Sequence, residues 1–104
     1  MLENIKSLLG RIRLPDLLKT RIDNSTNVYK RGRDEYLYKE GNHSLMIYAE
    51  LLTGNPDIDI DISSIRKWLP PHQDEYLSQE DKNRILKKFC AYLDLNGVSY
   101  RVTW

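Results

Sequence analysis

The middle of the chain alternates apolar and polar residues with the two-residue period of β-strands. Two such segments flank the dipeptide Gly41-Asn42: EYLYKE, residues 35–40, and HSLMIYAELL, residues 43–52. This dipeptide is typical of two-residue hairpin turns, and a turn here pairs Tyr38 with Leu45. A shift of one residue would turn the apolar side chains away from their common face, so the pattern also predicts the register.

Further strands are predicted on both sides of this hairpin. DIDIDI, residues 57–62, alternates without a fault, so its isoleucines face the core and its aspartates face outward. VYKR, residues 28–31, is a weaker strand, and residues 98–104 form the last one. Tight turns between neighbours make the first strands antiparallel.

Residues 78–96 have apolar positions at helical spacing, which predicts a long helix. Ser78 is a good N-cap, and Asp81 stands where a capping box needs an acidic residue. Gly97 provides the C-terminal stop. Cys90 lies on the apolar stripe of this helix, where a cysteine is buried and unreactive.

Two shorter helical stretches complete the predicted order. Residues 1–23 form an N-terminal helical lead-in, and a short helix capped by Ser63 or Ser64 carries Trp68. The prediction is one domain over residues 1–104, in which the lead-in precedes an α+β core of residues 26–104. In that core, an antiparallel sheet of about four to five strands is covered by the long helix of the C-terminal half.

Composition narrows the class of protein. The chain has 104 residues, of which 30% are charged, and its formal net charge is +1. No apolar run approaches the ~18 residues of a membrane span, and the first residues do not resemble a secretion signal. A single cysteine excludes an internal disulfide framework. These features predict a cytoplasmic protein, and no motif indicates a cofactor.

The small net charge hides an uneven distribution. Residues 1–40 carry a balance of +3, residues 41–81 one of −6 and residues 82–104 one of +4. If the fold gathers the central acidic residues, they form a negative surface. The alternative is that they solvate loops and helix ends.

No residues show a recognisable catalytic spacing. His43 lies at the hairpin turn and His72 follows two prolines, and nothing in the sequence brings the two together. KRGR, residues 30–33, is a small basic patch, but two acidic residues follow it directly, so a nucleic-acid partner is not expected. The prediction is that the protein is not an enzyme.

The three aspartates of DIDIDI are predicted to serve a binding surface. Successive aspartates stand about 6.6 Å apart on the strand, a spacing that converges poorly on a metal ion, so no metal site is predicted. Their row is interpreted as unpaired negative charge that suits a basic partner. The predicted partner-binding residues are Glu50, Asp57, Asp59, Asp61, Asp74, Glu75, Tyr48 and Trp104. The alternative is that the aspartates keep the sheet soluble and protect a strand edge.

A series of motifs in residues 35–104 is similar to those of a known family. The motifs are YAELLTG, then DIDIDISSIRKWLPPH, then SQEDKNRILKKF, and a final strand after Asn96-Gly97. They resemble the immunity protein 74 family, a group of small bacterial proteins encoded beside polymorphic or contact-dependent toxins. The resemblance implies a non-enzymatic cytoplasmic protein that binds and neutralises a cognate toxin domain, and a basic nuclease would suit the acidic region.

Two alternatives stay open. One is a small nucleic-acid-binding or regulatory module that uses KRGR and the basic residues of the long helix. The other is a subunit or adaptor whose residues 1–23 mediate self-association, for example as a homodimer. Salt-sensitive binding to mixed DNA or RNA would favour the first, and a neighbouring toxin gene would favour the immunity protein.

Overall fold

The computed structural model describes residues 19–103, which form one sheet and one long helix. The described residues contain six strands: β1 Lys19–Arg21, β2 Thr26–Lys30, β3 Glu35–Glu40, β4 His43–Leu51, β5 Ile58–Asp61 and β6 Tyr100–Thr103. A 3-10 helix, Ile62–Ser64, and an α-helix, α1 Gln79–Leu95, lie between β5 and β6. The strands are arranged across the sheet in their chain order.

The hairpin predicted around Gly41-Asn42 is confirmed. Across β3 and β4, Tyr38 pairs with Leu45 and Tyr36 with Ile47. Gly41 has a φ of 63°, a left-handed conformation that glycine adopts without a steric cost. All neighbouring strands from β1 to β5 are antiparallel, so this part of the sheet is a meander.

The predicted antiparallel arrangement is confirmed from β1 to β5 but not for the last strand. β6 runs parallel to β5, with Ile58 opposite Tyr100 and Ile60 opposite Val102. The chain travels from β5 to β6 through α1, and a strand that returns after such a crossover runs in the direction of the strand it left. The described part of the sheet is also wider than the expected four to five strands.

Helix α1 packs on one face of the sheet and closes the core. The Ser78 hydroxyl accepts a hydrogen bond from the Asp81 backbone N–H at 3.0 Å, and the Asp81 carboxylate accepts one from the Ser78 N–H at 3.0 Å, which confirms the capping box. The Phe89 ring meets Tyr36 edge to face at 5.1 Å. The buried residues of the sheet beneath α1 are Val28, Tyr36, Tyr38, Leu45, Ile47, Ala49, Ile58 and Ile60.

Three local expectations differ in the structure. Residues 19–21 of the predicted helical lead-in form β1, and residues 1–18 lie outside the described part of the chain. The predicted short helix carrying Trp68 is wrong: the structure has a 3-10 helix at Ile62–Ser64, which Asp61 caps by accepting a hydrogen bond from the Ser63 N–H at 3.0 Å, and Trp68 lies beyond it without regular secondary structure. Cys90 is only partly buried, and that burial raises the pKa of its thiol.

Residues 65–78, here named the connecting segment, join the 3-10 helix to α1 without regular secondary structure. Ile65, Trp68 and Leu77 are buried and anchor it to the core. The Leu69 N–H donates to the Ser44 carbonyl at 2.7 Å, which holds the segment beside the first residues of β4. Among the described residues, no helix is long and apolar enough to cross a lipid bilayer.

Candidate interaction surface

The side of the sheet opposite α1, here named the outer face, carries most of the acidic residues of the strands. Ile58 and Ile60 are buried beneath α1, so Asp59 and Asp61 project from the opposite side of β5. We name one group of its residues the acidic outer face: Asp34, Glu35, Tyr48, Glu50, Asp59 and Asp61. Within this group, the glutamates and Tyr48 are exposed, whereas the aspartates are partly buried.

Strand register brings these side chains together. Glu35 on β3 lies opposite Tyr48 on β4, and Tyr48 lies opposite Asp61 on β5. Glu50 lies opposite Asp59 in the adjacent row. Directly opposite residues of an antiparallel pair have Cβ atoms roughly 4.5–5.5 Å apart, so their charges act on one another.

Tyr48 lies at the centre of this group. Its side chain is 43% exposed and stands between two cavities of about 390 Å³ and 170 Å³, both of which it lines together with Asp61. The negative charge of Asp34 raises the pKa of the Tyr48 phenol, and burial and Glu50 add to the effect. The phenol therefore stays protonated, as a hydrogen-bond donor surrounded by carboxylates.

The structure contradicts the interpretation of the aspartates as unpaired charge. Asp59 forms an ion pair with Arg101, with Oδ2 and Nε 3.3 Å apart, and accepts a hydrogen bond from the Thr103 hydroxyl at 2.5 Å. Asp57 accepts a hydrogen bond from the Ser99 N–H at 2.9 Å. Asp61 caps the 3-10 helix. Contacts within the fold therefore offset much of the repulsion between the three carboxylates.

Glu75, which directly follows Asp74 in the chain, does not extend this surface. Glu75 Oε1 lies 2.7 Å from His43 Nε2, at the hairpin end of the sheet. Seven positions on β4 separate His43 from Glu50, a distance of about 23 Å, and an odd spacing on a strand places their side chains on opposite faces. Trp104, the other aromatic residue predicted to bind a partner, lies outside the described residues.

Sequence reasoning missed several residues of this surface. Extending the predicted hairpin register by one position would have placed Glu35 opposite Tyr48, so that residue could have been found. Arg66 and Lys67 line the larger cavity and add positive charge to one rim of the surface. No periodic signal in the connecting segment predicts that it returns to this position.

The basic patch KRGR is partly engaged by contacts within the fold. Lys30 Nζ donates to the Arg33 carbonyl at 3.0 Å and to the Tyr36 hydroxyl at 3.2 Å. Arg33 Nε lies 3.9 Å from Asp34 Oδ1. These contacts reduce the charge that the patch can offer to a phosphate.

The structure brings His43 and His72 together, a contact that no pattern in the sequence predicts. Their rings stack with centroids 3.7 Å apart and planes inclined by 21°. Together with Glu75 they lie at the hairpin end of the sheet, far from Tyr48. Their contact depends on the path of the connecting segment.

Comparison with known proteins gives one clear result. The family model of immunity protein 74 matches residues 32–103, a span that begins before β3 and includes β6. Neither a curated protein nor a solved structure gives a significant match. The family match confirms the resemblance based on the motifs of residues 35–104. Because it covers more than half of the sequence, the chain belongs to the immunity protein 74 family.

Proposed function

We propose that this protein is a cytoplasmic immunity protein that binds a cognate bacterial toxin domain and neutralises it by protein–protein contact, without catalysis of its own. The observation that carries the proposal is the match of residues 32–103 to the immunity protein 74 family. Inhibition by contact requires a preorganised surface rather than a set of reactive groups.

The acidic outer face is the proposed toxin-binding surface. Tyrosine is enriched among residues that dominate binding energy, because its ring buries a large area and its hydroxyl forms hydrogen bonds. Tyr48 combines 43% exposure with a position between two cavities that a partner's side chains could fill. The exposed carboxylates of Glu35 and Glu50 would attract a basic toxin, such as a nuclease, and increase the association rate.

The position of Tyr48 on a rigid strand supports this role. β4 lies inside the sheet, paired with β3 on one side and β5 on the other. The Tyr48 N–H also donates to the Ser64 hydroxyl at 3.0 Å, which connects the strand to the 3-10 helix. A backbone held in this way loses little conformational freedom on binding.

The test is co-expression with the toxin domain encoded by the neighbouring gene, followed by co-purification and a growth assay. The wild-type protein should protect the cells and bind the toxin. Tyr48→Ala should weaken affinity by roughly thirtyfold or more, as expected for a central interface aromatic. Glu50→Lys should slow association and reduce its salt dependence. Asp74→Lys, an equal charge change in the connecting segment, should bind the toxin with the affinity and salt dependence of the wild-type protein.

Two different failures can be distinguished. If the wild-type protein neither binds nor protects against the toxin, the proposed function is wrong. If it protects, but Tyr48→Ala and Glu50→Lys bind with unchanged affinity and salt dependence, the function stands and the interface lies on another surface.

A further inference from the structure

Two imidazoles and one carboxylate form a cluster at the hairpin end of the sheet, on the side of α1. His43 is the first residue of β4, whereas His72 and Glu75 belong to the connecting segment. One ligand atom from each residue lies within 4.8 Å of those of the other two. We name these three residues the histidine cluster, and none of them belongs to the acidic outer face.

Backbone hydrogen bonds hold the two halves of the cluster together. The Leu69–Ser44 hydrogen bond places the connecting segment beside β4. The His72 N–H then donates to the Leu69 carbonyl, and the Glu75 N–H donates to the His72 carbonyl, each at 3.0 Å. These two consecutive turns present the His72 imidazole and the Glu75 carboxylate to His43 from the same side.

The surroundings of the cluster favour a bound cation. The Trp68 and His43 rings meet edge to face with their centroids 5.0 Å apart, so one wall of the cluster is apolar. His72 Nδ1 is buried and has no hydrogen-bond partner among the described residues. A buried polar atom left without a partner is costly, and coordination of an ion would give it one.

We propose that the histidine cluster is a zinc-binding site. Zn²⁺ prefers imidazole nitrogens and carboxylate oxygens in a four-coordinate arrangement, whereas Ca²⁺ requires six to eight oxygen ligands. Ligand atoms around a tetrahedral zinc are roughly 3.4 Å apart. The wider spacings in the cluster, which reach at most 4.8 Å, must therefore shorten, and the 2.7 Å between His43 Nε2 and Glu75 Oε1 must lengthen. The stacked His43 and His72 rings must also turn relative to one another, because an ion lies in the plane of each imidazole that binds it. The His43 and Glu75 side chains, which are 26% and 53% exposed, have room for this movement.

Zinc at this position would cross-link two distant parts of the chain. It would tie β4 to the connecting segment, which three buried side chains and a few hydrogen bonds otherwise hold in place. Because the unfolded chain does not present the three ligands together, zinc would bind mainly the folded state and stabilise it. Zinc would bind and stabilise the protein in the absence of a toxin, so this proposal does not depend on the proposed toxin-binding surface.

The test is calorimetric titration of the untagged, chelator-treated protein with Zn²⁺, supported by the visible absorption of bound Co²⁺. The wild-type protein should bind one ion per chain and melt at a higher temperature with zinc. His72→Phe keeps a flat ring for stacking but removes both nitrogens, and Glu75→Gln keeps the side-chain size but removes the charge. Each removes a ligand, so it should weaken binding at least as much as the loss of an outer-shell partner, which is on the order of tenfold to a hundredfold. Asp74→Asn, a change in the neighbouring carboxylate, should bind as wild type.

Absence of saturable zinc binding by the wild-type protein would overturn the proposal. Equal binding by the wild-type protein and by His72→Phe would also overturn it, because the ion would then lie elsewhere. If His72→Phe does not fold, Glu75→Gln decides the question, since Glu75 is exposed and can be changed without opening the core.

Discussion

At the scale of single residues, Trp68 shows how a segment without regular secondary structure is held in place. Only 6% of its surface is exposed, and the next residue in the chain donates a hydrogen bond to Ser44. The connecting segment lacks the repeated hydrogen bonds of a helix or a strand. Burial of this one large ring therefore supplies much of the free energy that fixes the segment against the sheet.

Replacing Trp68 with Ala should lower the free energy of unfolding by roughly 3–5 kcal/mol, because a large buried ring is lost and a cavity remains. This is a large share of the roughly 5–15 kcal/mol that stabilises a typical domain. Urea unfolding followed by circular dichroism measures the change. Trp68→Phe, which keeps an aromatic ring, should lower the free energy of unfolding by a smaller amount. An unchanged midpoint for the Ala variant would show that the ring is not packed as described.

Residue-level prediction from sequence succeeded where a periodic pattern was present. The outward position of Tyr48 and the inward position of Tyr38 both follow from strand alternation. The contact between His43 and His72 could not be predicted in this way. It depends on the path of the connecting segment, and two prolines in a segment without a repeating pattern do not specify a direction.

At the scale of elements, local signals predicted the hairpin and α1, whereas the pairing of β6 required long-range information. The turn dipeptide and the capping box each act within a few residues, so the sequence encodes them directly. β6 pairs with a strand about forty residues earlier in the chain, from Ile58 to Tyr100. That pairing depends on how α1 crosses the sheet.

Asp57 and Ser99 form an interlocking contact where β5 and β6 begin. The Asp57 carboxylate accepts a hydrogen bond from the Ser99 N–H at 2.9 Å, and the Ser99 hydroxyl accepts one from the Asp57 N–H at 2.8 Å. The N–H of the Asp57 backbone also lies 3.1 Å from the Ser99 carbonyl oxygen. This contact sets the register of the parallel pair at its first residues.

Asp57→Ala should therefore destabilise the protein by about 1–2 kcal/mol, the usual cost of losing a small group of hydrogen bonds. Hydrogen exchange should show the largest loss of protection at the amides of Tyr100–Thr103, because β6 is the edge strand that this contact secures. Glu50→Ala, a substitution of another exposed acidic residue, is the matched control and should leave β6 protected. Equal protection of β6 in both variants would contradict this role for Asp57.

At the scale of the whole molecule, the two faces of the sheet differ in their electrostatic organisation. On the α1 side, Arg84 Nη2 lies 2.8 Å from Glu40 Oε1, and Lys88 Nζ lies 3.3 Å from Glu40 Oε2. Lys88 also forms an ion pair with Asp23 at 3.0 Å. Basic residues of α1 are thus used to attach the helix to the sheet. The outer face around Tyr48 instead brings several carboxylates together, and this is where an acidic binding surface remains.

This network predicts how stability changes with pH. A hydrogen bond from Arg84 lowers the pKa of Asp81 to about 2 from its usual 3.8. Burial raises the pKa of Glu40, but hydrogen bonds from Arg84 and Tyr38 outweigh it, so the net pKa is lowered. A hydrogen bond from the Ser25 backbone, followed by one from Lys88, lowers the pKa of Asp23. All three carboxyl groups therefore stay ionised in the folded protein at pH values where the unfolded chain already binds protons.

The contribution of these groups to stability is fully present above the unfolded pKa values of about 4 to 4.5, and it is lost as the pH falls towards the folded values. The melting temperature should be nearly constant from pH 7 to about 5 and then fall steadily towards pH 2. Glu40→Gln should cost roughly 1–3 kcal/mol at neutral pH, because Arg84 and Lys88 lose their shared partner. The difference in the free energy of unfolding between the variant and the wild-type protein should narrow in acid, where the wild-type Glu40 is itself protonated. A gap of constant size across the whole pH range would mean that Glu40 acts through its packing alone, and that its charge does not attach α1 to the sheet.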